Sequence, residues 1–284
     1  MDEFVVGLDG SEESELALRW TVGVASLANA PVRAVEAWGY PKLSVVPGTR
    51  SLVSPAEMDE RTAEDVRDLV TKVLGVVPRS LSIEALRGPA AGAILQTLTP
   101  ESVLVLGSRG RGGFKGLLLG SVSRECIEYA TCPVVIVRHD RPPVDRDSVI
   151  LVGKDGSDGA AKALDWAVTF GQLTGARVAA AYAWEAGVSE VRPRLHQRLR
   201  AEAQSSVEDW ISGSGPEVGS IEVEGEARAK LVELAERLDA KLIVVGRRGT
   251  SRLRGLRTGG VTSYLVSNSP TTVAIVPPVT DDTG

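Results

Sequence analysis

The chain has 284 residues, with a hydrophobic content of 43%, a charged content of 24% and a formal net charge of −5. This composition is typical of a soluble globular protein, and the length fits one large domain or two of ordinary size. The acidic balance argues against a dedicated nucleic-acid binder, and no apolar stretch approaches the roughly 20 residues needed to span a membrane.

Short apolar runs, which predict strands, alternate with longer stretches of helical period in the first half. The runs cover residues 4–8, 32–38, 81–86, 103–106 and 134–137, and two of the helices are expected over residues 14–29 and 56–77. The first helix is expected to present one face made of Leu16, Trp20, Val24 and Leu27. The alternation predicts an α/β domain with a parallel sheet of five strands, doubly wound, and a ligand site beyond the carboxyl ends of the strands.

The loop that follows the fourth run is unusually rich in glycine, with six glycines in residues 107–120. Gly120-Ser121-Val122-Ser123 then begins a helix, where free N–H groups and the helix dipole favour an anion. The hydroxyls of Ser121 and Ser123 can add donors, and Arg109, Arg111 and Lys115 add positive charge nearby. The loop therefore predicts a phosphate site, with two alternatives: a merely flexible loop, and Ser121 acting only as a helix N-cap. It is neither a P-loop nor the Rossmann fingerprint.

Cysteine and histidine are scarce. Cys126 and Cys132 lack the paired spacing of a zinc site, so we expect two buried thiols in a reducing compartment and no metal centre. The two histidines, His139 and His196, fall in a linker and on a polar helix, which makes a catalytic histidine improbable. The N-terminus is acidic and enters a strand at once, unlike a signal peptide, so a cytoplasmic location is expected.

The second half repeats the first. Asp155 aligns with Asp9 at an offset of 146 positions, and the segment 245–249 aligns with 106–110 at an offset of 139. Each half ends with a proline and a β-branched run, at residues 134–137 and 273–276. We therefore predict two tandem domains, residues 1–139 and 148–284, joined by a charged and proline-broken linker over residues 140–147.

The motifs carry a family resemblance. The spacing Gly107-x₂-Gly110-x₉-Gly120-Ser121 is similar to the signature of the ATP-binding universal stress proteins, as are Val6-Gly7-Leu8-Asp9-Gly10-Ser11 and the helix after it. The resemblance covers nearly the whole chain twice, as in tandem members of that family. It implies two five-stranded domains of the adenine nucleotide α-hydrolase-like type.

The resemblance also implies a role for each residue of a first ATP site. Asp9, followed by Gly10, would accept a hydrogen bond from the adenine amino group, and the backbone of Ala37 would contact adenine. Gly107 and Gly110, with Arg109 between them, would let the loop close over the ribose and α-phosphate. Gly120, Ser121, Val122 and Ser123 would hold the β- and γ-phosphates, with Mg²⁺ between them. The alternative for Asp9 is an ordinary turn carboxylate, since Asp-Gly-Ser is a common turn sequence.

The second half departs from the signature at one position. The corresponding residues of a second ATP site are Asp155, Ala183, Gly246, Gly249, Gly259, Gly260 and Thr262, with Gly260 in place of Ser121. The loop before Gly259 adds Arg252, Arg254 and Arg257 to Arg247 and Arg248. Two interpretations stay open: the added charge offsets the lost hydroxyl, or the arginines form a solvated loop that pairs with acidic surface elsewhere.

The function implied by the resemblance is that of a non-enzymatic, ATP-binding regulator of the stress response. It would act through nucleotide-dependent conformation or through binding to an unidentified protein partner. The two final strands are expected to pair within the chain, and two chains can dimerise further. The alternatives are a weak ATPase or adenylyl-transferring enzyme, and a nucleotide-free interaction scaffold. The loop from Gly107 to Ser123 holds no Asp, Glu or His, so we expect no catalytic residue there.

Overall fold

Strands and helices alternate along both halves of the chain. The computed structural model describes residues 1–39, 54–111, 118–184, 218–249 and 258–278, together with 193, 194 and 197. The elements of the first half are β1 (Glu3–Gly7), α1 (Glu12–Ala28), β2 (Val32–Trp38), α2 (Pro55–Leu74), β3 (Leu81–Arg87), α3 (Ala90–Leu95), β4 (Ser102–Gly107), α4 (Ser121–Tyr129) and β5 (Val134–Val137). Those of the second half are β6 (Val149–Lys154), α5 (Asp158–Thr174), β7 (Arg177–Trp184), β8 (Val218–Glu224), α6 (Ala227–Arg237), β9 (Leu242–Gly246), α7 (Gly260–Asn268) and β10 (Thr272–Val276).

The strands form one sheet that runs through both halves. Its order is β3-β2-β1-β4-β5-β10-β9-β6-β7-β8, and neighbouring strands within each half are parallel. The halves meet where β5 and β10 pair antiparallel, with Val135 opposite Ala274. This confirms the predicted pairing of the two final strands within the chain. It also relates the halves by an approximate twofold axis at the centre of the sheet.

Local sequence explains where α1 begins and ends. The Ser11 side chain caps the helix by accepting a hydrogen bond from the backbone N–H of Ser14 (3.2 Å), and Asn29 ends it in the left-handed conformation at φ 50°. Of the four residues expected on one face of α1, Leu27 near its end is 41% exposed. Trp20 and Val24 of that face are buried, and the smaller Ala17 and Thr21 are buried with them.

Helix α2 begins one residue before its predicted start and ends three residues before its predicted end. Ser54 and Glu57 form a capping box, in which each side chain bonds the backbone N–H of the other residue. Gly75 ends the helix at φ 78°, a left-handed conformation that glycine adopts without a steric penalty. Because that glycine stops the helix, Val76 and Val77 lie beyond it.

The halves also contact each other through their first helices and the predicted linker. Phe170 of α5 is fully buried, and its ring centroid lies 4.9 Å from that of Trp166 and 6.3 Å from that of Trp20 in α1. In the linker, Val144 is fully buried, and Pro143 packs so close to Gly23 of α1 that a β-carbon there would lie 2.6 Å from it. The linker therefore packs onto the body of the protein. None of the helices among the described residues has the length and apolar character to cross a membrane.

Candidate functional site

The loops that follow β1 and β4 enclose a cavity of about 440 Å³ beyond the carboxyl ends of these strands. Every predicted residue of the first site lines it except Gly10. Its apolar wall comes from residues that sequence reasoning did not single out: Ala90, Ile94, Leu106 and Leu119. Ile94 lies in the short helix α3, which packs against α4, β2 and β3, and this packing, which the sequence does not show, places Ile94 at the cavity.

The carboxylate of Asp9 is bonded on both oxygens. Oδ1 accepts hydrogen bonds from the backbone N–H (3.0 Å) and the hydroxyl (2.5 Å) of Ser11, and Oδ2 accepts one from the backbone N–H of Arg111 (2.8 Å). Asp9 therefore has the turn role that was its alternative interpretation, and it also ties the glycine loop to β1. Two carboxylate oxygens offer about four acceptor positions, so this bonding leaves room for another donor. The contact with adenine stays a prediction.

Two glycines of the loop are required by the protein's own packing. A β-carbon on Gly107 would lie 2.7 Å from the main-chain carbonyl carbon of Glu13, and one on Gly110 would lie 2.2 Å from Oδ2 of Asp9. Both distances are well inside van der Waals contact. Gly107 lets α1 approach the end of β4, and Gly110 lets the loop lie against the Asp9 carboxylate. Packing alone therefore requires glycine at these two positions, and the predicted approach of a nucleotide would be a second constraint on them.

The N-terminus of α4 supplies backbone donors to the cavity. Gly120 is the N-cap, and the first hydrogen bond within the helix runs from the N–H of Arg124 to the carbonyl of Gly120 (3.0 Å). The amides of Ser121, Val122 and Ser123 precede that bond and have no acceptor within the helix. The alternative in which Ser121 is the N-cap is therefore wrong, because Ser121 is the first helical residue.

The two serine hydroxyls of this segment differ. Ser123 is buried, and its hydroxyl donates to the carbonyl of Gly107 (2.8 Å), which fastens α4 to the end of β4. Ser121 is exposed and lines the cavity. Since the Ser123 proton is already donated within the protein, Ser121 is the hydroxyl available to a ligand, and Ser123 offers its backbone amide.

Positive charge at the cavity is partly paired. The guanidinium of Arg109 forms an ion pair with the carboxylate of Glu13 (2.8 Å) while the side chain stays about half exposed. Arg111 is exposed and its guanidinium lies over Gly10, whose φ of +73° is left-handed. Lys115, the third predicted cation, lies outside the described residues. The two described arginines therefore lie at the cavity together with the carboxylates of Glu13 and Asp9.

Glu36 of β2 carries a perturbed carboxyl group beside this cavity. Burial raises its pKa; the charges of Asp65 and Asp9 add to the rise, and the guanidinium of Arg111 opposes it. A raised folded-state pKa means that ionised Glu36 costs stability at neutral pH, and that this cost vanishes below the ordinary pKa of glutamate.

We therefore expect Glu36→Gln to raise the midpoint of thermal unfolding at pH 7 and to lose that gain near pH 4. Thermal unfolding of both proteins across this pH range checks it, and an equal gain at every pH would contradict it.

The second half encloses an equivalent cavity of about 390 Å³, which all the predicted residues of the second site line. Asp155 accepts from the N–H (3.0 Å) and hydroxyl (2.6 Å) of Ser157, as Asp9 does from Ser11. Thr262 donates its hydroxyl to the carbonyl of Gly246 (2.9 Å), as Ser123 does to Gly107. The two halves therefore share equivalent hydrogen bonds at their cavities as well as the same order of elements.

The two cavities differ in their polar groups. Gly260 begins α7 where Ser121 begins α4, and a β-carbon there would have no atom within 4 Å. Lys154 lines the second cavity at the position where the first half has the buried Leu8, whereas Arg248 corresponds to Arg109 of the first cavity. Sequence reasoning missed Lys154, although the alignment at offset 146 contains it. Arg252, Arg254 and Arg257 lie outside the described residues, so both interpretations of that loop stay open.

The cysteines are two free, buried thiols, as predicted. Burial raises the pKa of Cys126 to about 12 and that of Cys132 to about 11, so both are protonated at neutral pH. Across the described ranges, no group of three or more His, Cys, Asp or Glu side chains is arranged to hold a metal ion.

Comparisons with known proteins agree with this architecture. The sequence model of the universal stress protein family matches residues 1–138 and 148–277. A universal stress protein of Mycobacterium tuberculosis is 29% identical, with 92% of each chain covered, and one of Mycolicibacterium smegmatis is 27% identical, with 96% of each covered. A solved universal stress protein from Archaeoglobus fulgidus shares the fold, with a TM-score of 0.65 at 22% identity over 97% of this chain and 98% of the other.

Proposed function

The chain belongs to the universal stress protein family, and we propose that it is a non-enzymatic regulator of the stress response that binds ATP in the first cavity. The observation that carries the proposal is the meeting of three kinds of group around one space. These are the amides at the start of α4, the exposed hydroxyl of Ser121 and the carboxylate of Asp9. A cavity of about 440 Å³ is also within the range of small-molecule sites.

The residues fit the parts of an adenine nucleotide. Asp9 and the backbone of Ala37 would hold the base, beside the apolar wall that includes Ile94. The backbone from Gly107 to Gly110 would follow the ribose and α-phosphate. The amides of residues 121–123 and the Ser121 hydroxyl would hold the remaining phosphates, where the helix dipole favours negative charge. Mg²⁺ would be bound mainly by the phosphates, as it commonly is.

We also propose that the protein does not hydrolyse ATP as a dedicated enzyme would. Phosphoryl transfer needs a positioned base or a metal-binding carboxylate near the terminal phosphate. Among the described residues that line the first cavity, Asp9 is the one carboxylate, and it lies at the end of β1 with both oxygens already bonded. A slow ATPase is the main alternative, and steady release of ADP from added ATP would favour it.

Regulation would act through the loop between β4 and α4. Bound ATP would contact both the start of this loop at Gly107 and its end at Ser121. It would thereby change the conformation of the loop and of the surface available to a protein partner or to a second copy of the chain. Because β5 and β10 already pair within the chain, a homodimer would use other surfaces. Two unpaired buried thiols fit a reducing compartment, so we assign the protein to the cytoplasm as part of this proposal.

Ser121 and Gly260 provide a reciprocal test of the proposed site. Replacing Ser121 with alanine removes one neutral hydrogen bond, so we expect the first site to bind Mg-ATP about fivefold more weakly. Replacing Gly260 with serine adds the hydroxyl where there is open space, so we expect the second site to bind more tightly by a similar factor. Isothermal titration calorimetry of each variant with Mg-ATP measures both changes.

Ser121→Thr is the matched control, because it keeps the hydroxyl and should retain near wild-type affinity. Nucleotide chromatography of the heat-denatured protein gives an independent check, since a bound ligand is released into the supernatant. Recovered ATP supports the proposal. No recovered nucleotide together with no heat on titration of Mg-ATP would refute it.

A further inference from the structure

The main chain of Arg247 lies at the second cavity. It directly follows Gly246 at the end of β9, and its neighbours Gly246, Arg248 and Gly249 all line that cavity. Its carbonyl accepts a hydrogen bond from the N–H of Gly259, the N-cap of α7 (2.9 Å), and its own N–H donates to Val276 (2.8 Å). The position of its backbone is therefore tied to the phosphate end of the second cavity.

The side chain of Arg247 belongs to the first half. Its Nη1 donates to the carbonyl oxygens of Ile127 (3.2 Å), Glu128 (2.8 Å) and Ala130 (3.0 Å), at the C-terminal end of α4. The last carbonyls of a helix lack partners within the helix, and a cation there also interacts favourably with the helix dipole. Arg247 thus caps α4 from across the junction of the two halves.

The opposite end of α4 lies in the first cavity. The helix has nine residues, which is about 13 Å of length, and its first amides are the proposed phosphate donors. Hydrogen bonds from Arg247 hold one end, and the bond from Ser123 to Gly107 holds the other. Because α4 is a short helix bonded at both ends, we expect a displacement at its C-terminal end to shift the amides at its N-terminal end.

The first half has no equivalent hydrogen bond from its own cavity loop to α7 among the described residues. Ser108 occupies the position equivalent to Arg247, and it is a small, buried residue whose carbonyl bonds the N–H of Gly120. The C-terminal end of α7 is held instead by Arg138, which donates to Val266 (2.8 Å) and follows β5 without lining the first cavity. Only the second cavity therefore has a loop residue bonded to the helix of the other, within the described part of the chain.

We propose that Arg247 is a positioning residue through which the second cavity controls the first. A ligand that contacts Gly246 and Gly249 restrains the main chain of Arg247 and so steadies its cap on α4 and the phosphate donors at the far end. Because binding equilibria are reciprocal, occupancy of the first cavity raises the affinity of the second by the same factor. The ligand part of this inference rests on the proposed function, whereas the positioning part does not.

Hydrogen exchange of the ligand-free protein tests the positioning role. In Arg247→Met we expect the amides of residues 124–129 to exchange about tenfold faster, because a charged donor to three carbonyls is lost. The matched control is Arg138→Met, which removes a bond to α7 and should accelerate exchange in α7 but not in α4. Unchanged exchange in α4, or equal acceleration of both helices in both variants, would overturn the positioning role.

Titration with Mg-ATP tests the coupling. Gly260→Trp is designed to fill the second cavity, and four proteins are compared: wild type, Gly260→Trp, Arg247→Met and the double variant. We expect filling the second cavity to raise the affinity of the first site for Mg-ATP when Arg247 is present and to leave it unchanged in Arg247→Met. An equal change in both backgrounds would overturn the coupling. If the wild type binds no Mg-ATP, the proposed function fails, and the exchange pattern still decides whether Arg247 positions α4.

Discussion

Replacing Phe170 with alanine is expected to lower the free energy of unfolding by about 3–5 kcal/mol, the usual cost of deleting a fully buried aromatic ring. The ring lies between Trp166 and Trp20, and Trp20 belongs to the other half of the chain. Its removal therefore opens a cavity where α1 and α5 meet. Surrounding side chains close such a cavity only in part, so most of the cost remains.

Denaturation in urea, followed by tryptophan fluorescence, measures this effect. Trp20 and Trp166 themselves lie at the altered contact, so their emission reports its loss directly. Leu173→Ala in the same helix is the control, because that side chain is 40% exposed and should cost less than about 1 kcal/mol. If Phe170→Ala and Leu173→Ala cost the same, the aromatic cluster does not hold the two halves together.

The sequence was sufficient for the parts of the fold that depend on local pattern and on duplication. Apolar runs at strand length and the alignment of Asp155 with Asp9 predict the order of elements in both halves. The pairing of β5 with β10 could be predicted as well, through the family resemblance. The location of the cavities follows from a general property of parallel sheets, since the loops at the carboxyl ends meet there.

Contacts between distant segments could not be predicted from a single sequence. The hydroxyl of Ser123 appeared to be a ligand donor, but it bonds a strand carbonyl that lies 16 residues earlier in the chain. Arg247 appeared to be one of several loop arginines, and its partners lie more than 100 residues away. Leu27 fitted the same helical face as Trp20 and Val24 by spacing, but it lies one residue before the end of α1 and is 41% exposed. Each of these outcomes depends on three-dimensional placement that periodicity does not encode.

Replacing Gly107 with alanine is expected to lower the free energy of unfolding by about 1–3 kcal/mol, the usual cost of overpacking a close contact. The new methyl group would lie 2.7 Å from the main chain of Glu13, and backbone cannot rotate away as a side chain can. Helix α1 must therefore move outward from the end of β4. Because the Asp9–Ser11 turn leads into α1, we also expect Mg-ATP to bind more weakly to this variant.

Gly92→Ala separates this steric effect from the general consequences of replacing a glycine. Gly92 lies inside α3 with open space around its would-be β-carbon, so alanine there should be neutral or should stabilise by about 0.5–1 kcal/mol. Gly246→Ala should resemble Gly107→Ala, since its β-carbon would lie 2.7 Å from the main chain of Gly159 in α5. If Gly107→Ala weakened only nucleotide binding while its stability stayed at the wild-type value, the glycine would serve the ligand alone. If Gly107→Ala and Gly246→Ala both lower the free energy of unfolding, these glycines are required for packing α1 and α5 onto the sheet.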